Sequence, residues 1–187
     1  KADYILWTGV KKSAPEYNAW ISILAKQKKI GAKIIIAQAN QEIKAGNALI
    51  DTLYPLENME GRDMKNTSND TCVVSKLIFG KNSFLFTCDI SSAAEKASSN
   101  SYELDNLKSD VLKVAHHGSK YSTSDLFLEN VNPKIAVISV GAKNTYGHPT
   151  IEVLQRLEKF GIKIFRTDKD RDVNFISDGN SIKLLKN

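Results

Sequence analysis

Short apolar runs recur along the whole chain, each closed by glycine, proline or a polar cluster, and they alternate with stretches of helical spacing. The longest, Ile34-Ile35-Ile36-Ala37, falls far below the ~18–20 apolar residues with which a helix crosses a bilayer. Runs this short read as strands, and hairpins interleaved with helices build layers, a sheet or pair of sheets covered by helices. The predicted class is mixed α/β, in one domain over residues 1–187. A chain of this length buries roughly 70% of its unfolded surface. Its 42% hydrophobic and 25% charged residues exclude disordered, collagenous and disulfide-scaffold classes.

The pattern places strands at Asp3–Thr8, Lys33–Ala37, Ala48–Tyr54, Cys72–Phe79 and Ser83–Cys88, the last two joined as a hairpin through Gly80-Lys81. Further strands fall at Asp110–Ala115, Lys134–Val140, Lys163–Arg166, Val173–Ser177 and Ser181–Leu185. A type I′ turn at Asp178-Gly179 closes the final hairpin. Ser13 is the expected N-cap of a helix ending at Gly31, with Pro15 in its first turn and Glu16 completing a capping box. Ile90–Ser98 and Ser124–Val131 read as short helices, the second capped by Ser122, Thr123 or Ser124. Thr150–Phe160 is an amphipathic helix with Ile151, Leu154, Leu157 and Phe160 on one face and Gly161 as its cap. Glu57–Ser68 and Ser98–Ser101 are polar and read as a loop and a linker.

A formal net charge of +5 is compatible with an anionic partner, but the lysines are scattered along helix faces and loops, where they serve solubility. The two cysteines, Cys72 and Cys88, fit no zinc spacing. Across the expected hairpin they are offset by one position and face opposite sides, which predicts packed free thiols rather than a disulfide. The opening Lys1-Ala2-Asp3 resembles neither a start methionine nor a signal peptide, and points to a piece of a longer chain.

The chemistry gathers just after predicted strands. Asp89 follows Phe84–Cys88, His116-His117-Gly118-Ser119 follows Val111–Ala115, and Asn144, Tyr146 and His148 follow Ile135–Val140. Loops beyond strand ends are where layered α/β folds build sites. A carboxylate with imidazoles is a ligand set for Zn²⁺ or Mn²⁺ at a hydrolytic centre. The small residues after His117 would admit a substrate phosphate, with hydroxyls such as those of Ser119 and Ser122 on its oxygens. His148, in Tyr146-Gly147-His148-Pro149 before a helix, could donate to a leaving oxygen. Plainer roles stand beside these: Asp89 as a turn or helix cap, the histidine pair as buried hydrogen-bonding residues, His148 as a loop fastener, Ser91 and Ser92 as helix caps.

Leu112-Lys113-Val114-Ala115-His116-His117-Gly118-Ser119-Lys120-Tyr121-Ser122 resembles the late metal-binding motif of the metallo-β-lactamase superfamily, in the version of the ComEC-type competence proteins that internalise DNA. Ser139-Val140-Gly141 through Asn144, with Tyr146-Gly147-His148-Pro149, resembles the next signature, and Arg166-Thr167-Asp168 the closing one. Asn69-Asp70-Thr71 with Phe84–Asp89 resembles the hairpin that precedes them. The likeness is tightest over Val111–Asp168, runs from about residue 45 to the end, and holds only in outline before that.

The resemblance implies a four-layer αββα fold, incomplete here at its N-terminus, and a two-metal centre using zinc or manganese. Asp89 would be the metal-bridging aspartate, His116 a metal ligand with His117 its neighbour, and His148, Asn144 and Ser119 catalytic groups. Ser122 and Tyr146 would bind substrate. Asp70 or Asn69 occupies the place where many members carry another ligand histidine. The activity implied is a nuclease or phosphodiesterase linked to DNA uptake, beside a membrane channel on the extracytoplasmic face, with single-stranded or duplex DNA as partner. Three features depart from the pattern. No histidine precedes His116, so the ligand-rich His-x-His-x-Asp-His signature is absent. Cys88 and Arg171 stand where the family carries glycine. A non-catalytic DNA- or partner-binding domain, and an esterase on another phosphoester, are the competing expectations.

Overall fold

A computed structural model describes residues 2–63, 68–101 and 104–185. In chain order the elements are β1 (Tyr4–Trp7), α1 (Pro15–Lys29), β2 (Lys33–Ile36), β3 (Gln41–Ala45), β4 (Ala48–Tyr54), β5 (Val74–Phe79), β6 (Asn82–Phe86), α2 (Ser92–Ser101) and α3 (Leu104–Leu107). They continue with β7 (Val111–Lys113), α4 (Asp125–Val131), β8 (Ile135–Ile138), α5 (Ile151–Lys159), β9 (Lys163–Arg166), α6 (Thr167–Asp170), β10 (Asn174–Ser177) and β11 (Ile182–Leu185). Single 3-10 turns occupy Ser68–Thr71 and Ala115–Gly118.

Strands β3 to β9 form one seven-stranded sheet in chain order. Its first half is an antiparallel meander, and β6, β7, β8 and β9 run parallel. Because Phe84, Val111 and Ile135 share a register row, alternation divides the side chains cleanly. Leu85, Leu112, Val114, Ala136 and Ile138 point to one face and are buried there with Ala94 of α2, Phe127, Leu128 and Val131 of α4, and Val153 and Leu157 of α5. Each fully buried leucine, isoleucine, valine or phenylalanine among them contributes roughly 1.5–3 kcal/mol of burial.

The opposite face carries Leu77, Phe84, Phe86, Val111, Lys113 and Val137 along a groove of about 700 Å³. The β10–β11 hairpin lies against it: the Phe175 ring centroid is 6.4 Å from that of Phe84 and 6.1 Å from that of Phe165. Hairpin tips also touch, where Lys81 N donates to Gly179 O at 2.6 Å. A β-carbon on Gly80 would collide with Gly179 backbone, so that contact requires glycine. Separately, β1 and β2 pair in parallel around α1, with Trp7 edge-on to Trp20 at 6.3 Å. Among the described residues no helix is long and apolar enough to cross a membrane.

The mixed α/β class is as predicted, and several local expectations are corrected. Ala14, not Ser13, caps α1, because the residue before proline is driven to extended backbone and Pro15 then takes the first helical position. The polar run Gln41–Ala45, expected as no element, forms edge strand β3 against β4. α2 continues through the supposed linker to Ser101. Ile151 is 62% exposed, so the apolar face of α5 is built by Val153 and Leu157 with Leu154 and Phe160. Residues 178–181 form a four-residue loop between Ser177 and Ile182, and Asp178 lacks the positive φ that the expected type I′ turn requires. The Asp178 carboxylate accepts from Asn180 N and Ser181 N and sets that longer path. Of the loop expected over Glu57–Ser68, residues 64–67 lie outside the described residues.

Candidate active site

Parallel β6, β7 and β8 end level with one another, with Phe86, Lys113 and Val137 in one row. Their outgoing loops therefore meet at one sheet edge. Antiparallel β5 begins at the same edge, which delivers the Ser68–Thr71 turn to it. Four segments distant in sequence thus converge without any long loop.

The central segment is backbone of high conformational cost. His116 and His117 both have left-handed backbone, with φ of 48° and 55°, a state costing roughly 1–2 kcal/mol per non-glycine residue. The surroundings hold it there. His116 N donates to Cys88 O at 3.2 Å, Ser119 N to His116 O at 2.9 Å, and Thr150 N to Gly118 O at 2.9 Å. Ser122 Oγ donates to Ala115 O at 3.1 Å. Gly118 has φ +83°, and a β-carbon there would stand 2.6 Å from Pro149 Cβ, so glycine is required by both torsion and space.

These constraints aim the His117 imidazole at Asp89. His117 Nδ1 lies 2.6 Å from Ser139 O. A carbonyl only accepts, so Nδ1 carries the proton and Nε2 presents its lone pair. That Nε2 is 3.7 Å from Asp89 Oδ2. His116 faces His148, ring centroids 5.7 Å apart, and its ring nitrogens lie 3.2 and 3.4 Å from Asn69 Nδ2. Asp89, His116, His117, Tyr146 and His148 line a cavity of about 260 Å³. A second cavity of about 200 Å³, lined also by Asn144, shares His117, Tyr146 and His148 with it.

The loop after β8 is braced. Asn144 Nδ2 donates to Gly141 O and His148 O, both at 2.9 Å, and Asn144 Oδ1 accepts from His148 N at 3.0 Å. Tyr146 stacks on His148 with ring planes 20° apart and is 82% exposed. Burial, with the nearby His116 and His117, holds the His148 imidazole below its ordinary value, favouring its neutral form.

The sequence-selected residues divide accordingly. Asp89, His116, His117, Tyr146 and His148 share one cavity. Ser119 and Ser122 are buried, and Ser122 Oγ donates inward to Ala115 O and Ser119 O; they shape the turn instead of facing the cavity. Asn144 spends its amide on the loop. Asp70 accepts from Ser91 N and Oγ at 2.7 and 2.8 Å, so of the two upstream alternatives it is Asn69 that reaches the histidines. Ser91 in turn accepts from Ala94 N, the expected capping role. Arg171 is exposed and Cys88 half-buried, and both sit at positive φ, 60° and 52°, where the family pattern has glycine. Sequence reading did not identify Thr167, whose hydroxyl donates to Val140 O and accepts from Val140 N, both at 2.8 Å; a threonine directly after a strand in the closing signature was the available signal.

Cys72 and Cys88 are free and half-buried, as expected of packed thiols. Strand pairing stops at Phe86, and Cys88 beyond it takes left-handed backbone with φ 52°.

Asp89 and His117 offer an oxygen and a nitrogen lone pair across 3.7 Å. Two zinc bonds of ~2.0–2.1 Å at a tetrahedral angle span roughly 3.4 Å, so the pair suits two positions of one ion. No cluster of three or more histidine, cysteine or acidic side chains suited to a metal occurs among the described residues, and zinc sites take at least three protein ligands. The residues fit part of a metal centre and not a whole one.

The chain is 35% identical to ComE operon protein 3 of Bacillus subtilis over 139 residues, 73% of this chain and 18% of that protein. It is 38% identical to competence protein ComA of Neisseria gonorrhoeae over 107 residues, 57% of this chain and 15% of that one. Against recombination protein 2 of Haemophilus influenzae it is 38% identical over 101 residues, 53% and 12% of the two chains. The matched stretch thus spans less than a fifth of each relative. No family model matches the chain. Among solved structures it is similar to the metallo-β-lactamase fold protein YhfI of Bacillus subtilis, at 13% identity and TM-score 0.43, covering 88% of this chain and 73% of that one.

Proposed function

The chain belongs to the ComEC-type family of competence proteins, and on that premise we propose that it supplies part of a metal-dependent phosphodiesterase, a nuclease acting on DNA during uptake. The observation that carries this reading is the facing of His117 Nε2 and Asp89 Oδ2, with the tautomer of His117 set by Ser139. Metal-bound histidines characteristically donate their second ring N–H to a carbonyl in this way.

Zinc or manganese would be held by Asp89 and His117 with His116 beside them, completed by donors beyond this group. The ion would supply Lewis acidity and an activated water. This chain's own side chains bind and orient. His148, stacked on Tyr146 and facing His116, can hydrogen-bond a departing oxygen. Tyr146 offers an open ring face beside the cavity for a nucleobase. The setting would be the extracytoplasmic side of a membrane channel, within a longer protein.

The lack of a three-donor cluster among the described residues favours, as second reading, a domain of this family that binds DNA or a partner without cleaving it. An esterase acting on a different phosphoester is the remaining alternative. Incubation of the complete protein with Mn²⁺ or Zn²⁺ and either a single-stranded oligonucleotide or a phosphocholine ester separates the three. Cleavage of the oligonucleotide, lost in Asp89→Ala and His117→Ala, is expected. Ester hydrolysis alone would favour the esterase, and DNA binding without cleavage the second reading.

A further inference from the structure

Both tryptophans of the chain, Trp7 and Trp20, line one cavity apart from the histidines. It measures about 310 Å³, within the ~300–1,000 Å³ of small-molecule pockets. Tyr17, Lys12 and Thr71 share its wall. Tyr17 and Trp20 stand one helical turn apart on α1 and so lie on the same face. Trp7, at the end of β1, has its ring centroid 6.4 Å from that of Tyr17, with the planes at 45°, and 6.3 Å from that of Trp20, at 78°. Neither contact is a parallel stack, and all three residues stay partly exposed.

The backbone beneath is fixed. Trp7 O accepts from Ala37 N at 2.8 Å, Gly9 O accepts from Gly61 N at 2.9 Å, and Lys11 N donates to Arg62 O at 2.9 Å. A β-carbon on Gly9 would stand 2.9 Å from Glu60 Cα, so the loop between β1 and α1 is pressed against its neighbour. Lys12 follows this anchored stretch and is exposed.

A row of contacts leads from the candidate site to this cavity. Tyr146 stacks on His148, His148 faces His116, and His116 touches Asn69. Asn69 and Thr71 belong to one 3-10 turn, and two residues span at most ~7 Å. One turn thus touches His116 on the site side and walls the aromatic cavity through Thr71.

We propose that the aromatic cavity is a nucleobase-binding subsite. It takes one unpaired base of a single-stranded DNA running on from the histidines, with the base against the Trp7, Tyr17 and Trp20 rings and a backbone phosphate on Lys12. Aromatic faces bind bases with little regard to sequence, and lysine neutralises phosphate. Glu16 also lines the cavity; its carboxylate repels phosphate and leaves that group to the Lys12 side. A duplex keeps its bases paired and stacked and offers none to such a pocket. The proposal rests on the DNA reading above, but not on cleavage.

The test photo-cross-links the complete protein, without added metal, to a single-stranded oligonucleotide carrying iodouracil, and maps the adducts by peptide mass. Adducts on Trp7, Tyr17 or Trp20 are expected, and none when the same strand is held in a duplex. By fluorescence anisotropy, Trp20→Ala should weaken single-strand binding about 5- to 150-fold, the equivalent of one stacked base. Trp20→Phe, which keeps a ring, should restore most of it. Lys12→Ala should lower the slope of log affinity against log salt by about 0.7, the signature of one lost phosphate contact. Adducts confined to other residues, Tyr146 included, or equal labelling from a duplex, would overturn the subsite and leave the DNA reading standing. An unchanged salt slope in Lys12→Ala would overturn the phosphate contact. Wild type that binds no single-stranded DNA would overturn the subsite and the DNA reading together.

Discussion

His117 stands with Nε2 3.7 Å from Asp89 Oδ2 while its Nδ1 donates to Ser139 O at 2.6 Å. Of the adjacent histidines, His117 is the one whose free lone pair confronts the carboxylate; His116 turns toward Asn69 and His148. Two lone pairs at that distance repel unless a proton or a cation lies between them. His117→Ala is therefore expected to reduce metal-dependent cleavage by the complete protein at least ~100-fold, the scale on which even outer metal-site partners act. His116→Ala should have the smaller effect. Rates measured across a Mn²⁺ titration check the ranking.

Gly118→Ala should destabilise the protein by about 2–4 kcal/mol. The new methyl meets Pro149 Cβ at 2.6 Å, on backbone with φ +83°, so overpacking and torsional strain add. The shift in urea midpoint between wild type and variant measures it.

Glu95 is fully buried, yet accepts from Thr123 N, Ser124 N and Ser124 Oγ, tying α2 to the start of α4. Glu95→Leu leaves those donors without partners and should cost about 2–4 kcal/mol. Chemical denaturation should register the loss, and hydrogen exchange should show faster opening at Thr123 and Ser124.

Burial pushes the Asp110 carboxyl up, but Lys134 Nζ at 2.9 Å and Ser83 N at 3.0 Å outweigh it and hold the group below its ordinary value of 3.8. A carboxylate with a depressed folded value stabilises the protein above the unfolded value and loses that contribution as pH falls through the folded one. Wild type should therefore lose more stability between pH 7 and pH 3 than Asp110→Asn does, read from urea midpoints at the two conditions.

Tyr146 is exposed and stacked on His148. Tyr146→Ala should weaken binding of a single-stranded oligonucleotide by about 1–3 kcal/mol, the worth of one base stacked on an aromatic ring. Tyr146→Phe should leave it unchanged. Fluorescence anisotropy with a labelled oligonucleotide distinguishes the two.

The core of the site was legible because it is local. Parallel strands deliver their C-terminal loops to one edge, so Asp89, His116 and His148 converge as soon as β6, β7 and β8 are recognised as strands. What escaped the sequence depends on torsions and on partners distant along the chain. Ser119 and Ser122 look like phosphate-binding hydroxyls until the left-handed His116 and His117 turn the chain and send Ser122 Oγ to Ala115 O. Asp70 is the better ligand by residue type, yet Ser91, 21 residues away, takes both its oxygens. Edge strand β3 escapes for a different reason: an edge needs little burial, so its sequence carries little hydrophobic signal.

Metal content of the complete protein, purified with micromolar Zn²⁺ or Mn²⁺, bears most directly on the pairing of Asp89 with His117. Two equivalents of bound metal are expected in wild type, falling in Asp89→Ala and His117→Ala, and weak or no retention in the 187-residue chain alone. Complete protein that binds DNA yet takes up no metal would contradict it.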